Sequence, residues 1–165
     1  MRKRLAVKYL GLLALLVLFS VTAMGADMLS GTWKLNVAKS KFTPGPPPQS
    51  NTVKIESAGD GIKLVGDGVD SQGKKTHNEY TAKFDGKDSP MKPTLDGKPN
   101  PNAADAVSWK KIDDFTYEAT NKLKGKTLTV AKHVISKDGK TRTVTTTGTN
   151  AEGQKVDTTT VFEKQ

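Results

Sequence analysis

From Gly31 to the C-terminus, apolar and polar residues alternate in short runs, and no stripe at helical spacing of useful length interrupts them. Alternation with period two sends successive side chains to opposite faces of an extended chain, so these runs predict strands. They are rich in Val, Ile, Thr, Tyr, Phe and Trp and are bounded by Gly with Asp, Asn or Lys, the residues that turn a chain. Nine strands are predicted: Gly31–Asn36, Thr52–Ser57, Ile62–Val69, Lys74–Phe84, Ala106–Ile112, Phe115–Asn121, Lys126–Ser136, Thr141–Thr149 and Lys155–Glu163. Most links are tight: Gly59-Asp60-Gly61, Ser71-Gln72-Gly73, Asp113-Asp114, Lys124-Gly125, Asp138-Gly139 and Ala151-Glu152-Gly153. A parallel partner needs a crossover of about a dozen residues or more, so such links join antiparallel neighbours. The expected fold class is all-β, an antiparallel up-and-down meander. Closing it into a barrel of about 8–10 strands removes the two exposed edges that an open sheet would leave. A two-sheet sandwich is the alternative, but the long C-terminal strands suit tilted barrel strands better.

Trp33, Leu35, Val53, Ile55, Ile62, Leu64, Tyr80, Phe84, Trp109, Phe115, Tyr117, Leu128, Val130, Val134, Val144, Val156 and Phe162 suffice to line such a barrel once. The last hairpin is rich in threonine, which keeps β propensity while resisting aggregation. Gly68 to Lys75 and Gly148 to Lys155 resemble each other and predict one hairpin geometry used twice. Two segments break the alternation. Ala38–Asn51 holds Pro44-Gly45-Pro46-Pro47-Pro48, which offers few amide donors and fixed φ angles, and is expected to be a stiff loop. Asp85–Asp105 contains four prolines and about 20 residues without periodicity, a length usually reserved for functional or disordered loops.

The N-terminus has a different pattern. Arg2, Lys3, Arg4 and Lys8 precede an apolar run from Leu10 to Val21, and Ala23-Met24-Gly25 provides small residues two apart. This is the layout of a secretory signal peptide. It divides the chain into a signal peptide, residues 1–25, and one domain, residues 26–165, secreted or periplasmic after cleavage near Gly25. An uncleaved anchor, which needs roughly 20 apolar residues, is the alternative, but the small residues at the cleavage site and the polar chain after it favour cleavage. The chain has no cysteine, so neither disulfides nor an acylated cysteine is available and a packed core must carry the fold. About 140 residues are enough for one.

The leader takes four of the 26 bases and none of the 17 acids, so the remainder carries 22 against 17, a net of +5. Of those bases only Arg142 is arginine, whereas nucleic-acid grooves enlist several because the planar fork pairs with phosphate. Nucleic acid is therefore not an expected partner, and scattered lysines allow at most a weak, salt-sensitive association with anionic envelope surfaces. Catalytic patterns are missing too. His77 and His133 are too few for a catalytic zinc, and no serine sits in a Gly-x-Ser-x-Gly elbow. The acids sit mostly beside Gly and Lys at turns. No enzyme activity, catalytic residue, metal or cofactor is expected.

Gly31-Thr32-Trp33-Lys34-Leu35 on the first strand resembles the Gly-x-Trp signature of lipocalins and the Gly-Thr-Trp start of intracellular fatty-acid-binding proteins. Together with Asn36, Ala38-Lys39-Ser40-Lys41-Phe42, Pro44-Gly45, Asp138-Gly139-Lys140-Thr141 and the ending Phe162-Glu163-Lys164-Gln165, the chain is similar to small bacterial secreted lipocalin-like proteins of the calycin type. The resemblance implies a lipocalin-like barrel whose tryptophan, Trp33, plugs one end beside Gly31, under a late-strand arginine for which Arg142 is the one candidate. The carboxylate-binding Arg-x-Tyr of fatty-acid-binding proteins is absent, since the corresponding stretch reads Thr160-Val161-Phe162. The expected role is that of a monomer binding a small apolar ligand in its interior, the alternative being a ligand-free structural protein of the envelope with a filled barrel. The two proline-bearing loops would frame the mouth. Phe42, Phe84, Met91 and Trp109 would contact the ligand, with Tyr80 and Tyr117 offering hydroxyls. A pocket of roughly 300 Å³ or more separates binder from scaffold.

Overall fold

A computed structural model describes residues Met28–Gln165; the predicted leader and its cleavage site lie outside the described residues. The strands are β1 (Gly31–Lys41), β2 (Ser50–Ala58), β3 (Gly61–Val69), β4 (Lys75–Lys83), β5 (Ser89–Pro90), β6 (Thr94–Leu95), β7 (Lys98–Pro99), β8 (Ala106–Lys111), β9 (Thr116–Leu123), β10 (Lys126–Ile135), β11 (Thr141–Thr149) and β12 (Lys155–Lys164). They form one antiparallel sheet in the order β5-β8-β9-β10-β11-β12-β1-β2-β3-β4-β6-β7. The nine long strands are the nine predicted. Their meander curls strongly into a half-barrel, with β1 paired to β12 so that the first and last strands lie side by side.

The margins of the curled sheet, β4 and β8, meet at one end only. The Gly86 N–H donates to the Trp109 carbonyl at 2.9 Å, and Asp85 bridges to Lys110. Beyond that point β5 pairs with β8 and β6 with β4, so the seam is covered without a continuous ladder.

The resemblance between Gly68–Lys75 and Gly148–Lys155 is one turn geometry. In the first, the Asp70 N–H donates to the Lys74 carbonyl at 2.9 Å and the Gly73 N–H to the Asp70 carbonyl at 3.2 Å. In the second, the Asn150 N–H donates to the Gln154 carbonyl at 3.0 Å and the Gly153 N–H to the Asn150 carbonyl at 3.1 Å. Gly73 and Gly153 hold φ of 82° and 81°, which a side chain strongly disfavours.

Three expectations require correction. The stiff loop is shorter than Ala38–Asn51: β1 continues to Lys41 across a register shift after Asn36, and β2 begins at Ser50. Ser40 makes the extension work, its Oγ donating to the Asn36 carbonyl at 2.6 Å and accepting the Val161 N–H at 2.9 Å. Asp85–Asp105 is not an irregular loop but carries β5, β6 and β7, with Asp96 and Gly97 at φ 50° and 75° in a tight hairpin turn. It is tied to β4 by a 2.7 Å bond from the Asp96 N–H to the Lys75 carbonyl and by a 2.8 Å bond from the Lys75 N–H to Asp96 Oδ1. Strands of two residues contain no period, so alternation could not reveal them.

The third correction concerns the lining. Phe115 and Val134 are exposed rather than interior, and β10 turns Ala131, His133 and Ile135 inward instead of Leu128, Val130 and Val134. Pairing sets that phase: His133 stands opposite Tyr117 on β9 and Val144 on β11, both inward. The remaining core joins Trp33, Leu35, Val53, Ile55, Ile62, Leu64, Tyr80, Trp109, Tyr117 and Phe162 to Leu29, Ala82, Val107 and Ala119.

Candidate functional site

The half-barrel interior is layered. At the floor, Trp33 is fully buried and its indole N–H donates to the Leu29 carbonyl at 2.8 Å. The Arg142 guanidinium lies 5.4 Å from the Trp33 ring centre and 4.4 Å from that of Phe162, and Lys164 Nζ is 5.1 Å from Trp33. Gly31 makes room for this arrangement: at φ 140°, any Cβ there would collide with the Lys164 side chain. Gly31 and Trp33 on β1 thus meet Arg142 from β11 at one end.

Above the floor is a cavity of about 310 Å³, with Val53, Leu64, Tyr80, Trp109, His133 and Val144 in its wall. The Trp109 N–H donates to the Tyr80 hydroxyl at 3.2 Å, and the His133 ring lies 4.6 Å from the Trp109 ring, centre to centre. Ala119 and Ala131 face each other across the β9–β10 ladder, and their lack of bulk opens the space. Asn51, Asn78 and Asn121 line the end farther from Arg142. Each stands two residues along its strand from a wall residue, Val53, Tyr80 or Ala119, and so shares that residue's inward face. The Phe42–Gln49 loop and the β4–β6 junction leave from this same end.

The chemistry of this cavity is unusual for a packed core. None of its lining residues is Asp or Glu. Arg142 is 2% exposed, its Nε has no hydrogen-bond partner, and no carboxylate among the described residues reaches it. Both ring nitrogens of His133 and the Oδ1 atoms of Asn51 and Asn78 are likewise out of solvent and without partners. Buried polar atoms are ordinarily satisfied, because each orphan costs about 1–3 kcal/mol. Burial drives His133 well below the usual histidine pKa of 6.5, and Arg142 adds to this, so the imidazole is neutral. Burial also pushes the Tyr80 hydroxyl up to about 12 and pulls Arg142 down to about 9, leaving it charged at neutral pH. Contact with each aromatic face offsets about 1–2 kcal/mol, whereas stripping water from a guanidinium costs several, so the charge is left undercompensated.

The structure does not gather the six predicted contact residues. Tyr80 and Trp109 line the cavity. Phe84 packs edge-on to Trp109, with centres 6.5 Å apart, and lies 5.3 Å from Tyr117. Phe84 and Tyr117 face a separate depression at the opposite end, beside Met28 and Phe115. Met91 lines an outer groove of about 730 Å³ against Leu123, and both Met91 and Phe42 pack partly buried against the core. His77 is on the outer face, its Nδ1 2.8 Å from Asp67 Oδ1. Alternation with Ala131 and Ile135 makes His133 a lining or solvent-facing histidine, and it lines the cavity; the three asparagines are not among the expected lining groups, although their two-residue spacing from Val53, Tyr80 and Ala119 is a signal.

Among the described residues, no three His, Asp or Glu side chains gather as a metal would require. The cavity combines a cation at its floor, hydrogen-bonding groups along its height and apolar walls between them. No model of a protein family and no curated protein matches this sequence.

Proposed function

We propose that this chain is an exported, non-catalytic protein that binds a small molecule inside a lipocalin-like half-barrel, entering past Asn51, Asn78 and Asn121. One observation carries the reading. An interior space of about 310 Å³ persists above a well-packed floor, and its walls hold polar atoms that no group among the described residues satisfies. A structural barrel would gain by filling such a space, since cavities and orphaned polar groups both destabilise. The volume is at the small end of ligand pockets, which run from about 300 to 1,000 Å³, so the ligand is compact. Val53, Leu64, Val144 and Trp109 would hold its apolar body. The basic leader and the small residues before Ala26 support export to the periplasm or the exterior.

The test is to equilibrate purified protein with a small-molecule extract and identify what co-purifies by native mass spectrometry. A compact ligand retained by the wild type and lost from Ala131→Leu, which fills the space from the β10 side, supports binding. Identical, ligand-free spectra from both proteins would instead support the filled scaffold.

A further inference from the structure

We infer that the ligand is a compact organic anion whose acidic group sits on Arg142 and whose planar or apolar body lies against Trp109, His133 and Leu64. This deepens the binding reading above and rests on it. Arg142 comes from β11 and is buried at the floor of the cavity, where its guanidinium carbon lies over the rings of Phe162 and Trp33. The Arg142 Nε is buried without a hydrogen-bond partner, and no ion pair among the described residues involves Arg142. An unpaired Nε donor in a low-dielectric interior is matched by an acidic oxygen, and the fork geometry suits a carboxylate or sulfonate.

The rest of the lining is consistent with one charge at one end. No acidic residue lines the cavity to compete for Arg142 or to repel an anion. His133 packs at a tilt beside Trp109 and contributes an aromatic wall with two ring nitrogens that find no partner among the described residues rather than a second cation. The Asn51 and Asn78 amides, farther from the floor, would meet polar groups at the other end of the ligand. A bare inorganic anion satisfies Arg142 but leaves most of the space unfilled: about ten water volumes fit at ~30 Å³ each. The aromatic and aliphatic walls therefore call for an organic body attached to the acid.

The experiment titrates wild-type protein with benzoate, benzenesulfonate, the neutral isostere benzamide, and sulfate, read by tryptophan fluorescence and calorimetry. Benzoate and benzenesulfonate are expected to bind at least tenfold more tightly than benzamide and than sulfate. Arg142→Met should remove the advantage of the anions while leaving benzamide unchanged. Benzamide binding as tightly as benzoate would overturn the anion and leave the binding reading standing. Sulfate matching benzenesulfonate would overturn the organic body. Failure of every probe would overturn both this inference and the binding reading. The wild-type comparison decides the matter even if the variant does not fold.

Discussion

Replacing Arg142 with methionine keeps a long, unbranched side chain against Trp33 and Phe162 while deleting the charge. The magnitude follows from the burial of the guanidinium. With 1.36 kcal/mol for each tenfold in proton affinity, the fall from 12.5 to about 9 corresponds to a desolvation penalty of about 5 kcal/mol for the charged form. The two aromatic faces return about 1–2 kcal/mol each, leaving a deficit of about 2 kcal/mol in the ligand-free protein. Methionine carries no such deficit and packs well beside aromatic rings. Arg142→Met should therefore raise the unfolding free energy by about 1–3 kcal/mol, the range seen when buried charges give way to apolar side chains. Urea titration at pH 7 in the absence of ligand, followed by circular dichroism, measures it, and an unchanged slope against urea confirms that the same surface is exposed. The order should reverse with ligand: at a hundredfold excess over its dissociation constant, a bound anion adds about 2.7 kcal/mol to the wild type and nothing to the variant. A loss of more than 1 kcal/mol in ligand-free Arg142→Met would refute the reasoning, because it would mean that the cation is fully compensated by the protein itself.

Trp33→Ala should cost about 3–5 kcal/mol, since it empties a fully buried site and removes the indole hydrogen bond to Leu29; a loss under 1 kcal/mol in urea would contradict its role as the floor. Gly61→Ala should be far more damaging than Gly125→Ala. A Cβ at Gly61 would strike the Ala82 carbonyl and lie 2.6 Å from Lys83 Cα, while one at Gly125 meets open space and suffers only its φ of 78°, about 1 kcal/mol. Equal melting temperatures for the two variants would show that the β3–β4 approach is not tight. Stability should also fall as pH drops from 6.5 toward 5. The unfolded chain takes up a proton at His133 near 6.5 while the folded state, with its pKa held far lower, does not, so up to about 1.4 kcal/mol is lost per pH unit until the folded value is reached. The lowered carboxylates Glu56, Glu79, Asp113, Asp138 and Glu163 lose their contribution only as pH falls from about 4.5 downward, and His133→Gln should flatten the upper window. A wild-type profile that is already flat there would place a charged histidine in the folded interior.

Strand positions, turns and antiparallel order were legible because each is written within a few consecutive residues. Alternation at Val53, Ile55 and Lys54 or at Tyr80, Ala82 and Thr81 needs no partner to be recognised, and a link such as Asp138-Gly139 permits little else than a hairpin. Trp33 could be named from the motif and Arg142 as the one arginine after the basic leader, but their contact depends on β1, β12 and β11 lying side by side. The direction each face takes was not local either. On β10, Ala131, His133 and Ile135 are buried while Val134 is exposed, because the register sets Ala131 beside Ala119 and His133 beside Tyr117 on β9, whose side chains face inward. Phe42, Phe84, Met91 and Tyr117 pack against other parts of the half-barrel rather than converging on the cavity. A strand's sequence determines its alternation, while register and curvature, which are properties of all the strands together, decide which set of side chains is enclosed and that the enclosed cation meets no acid.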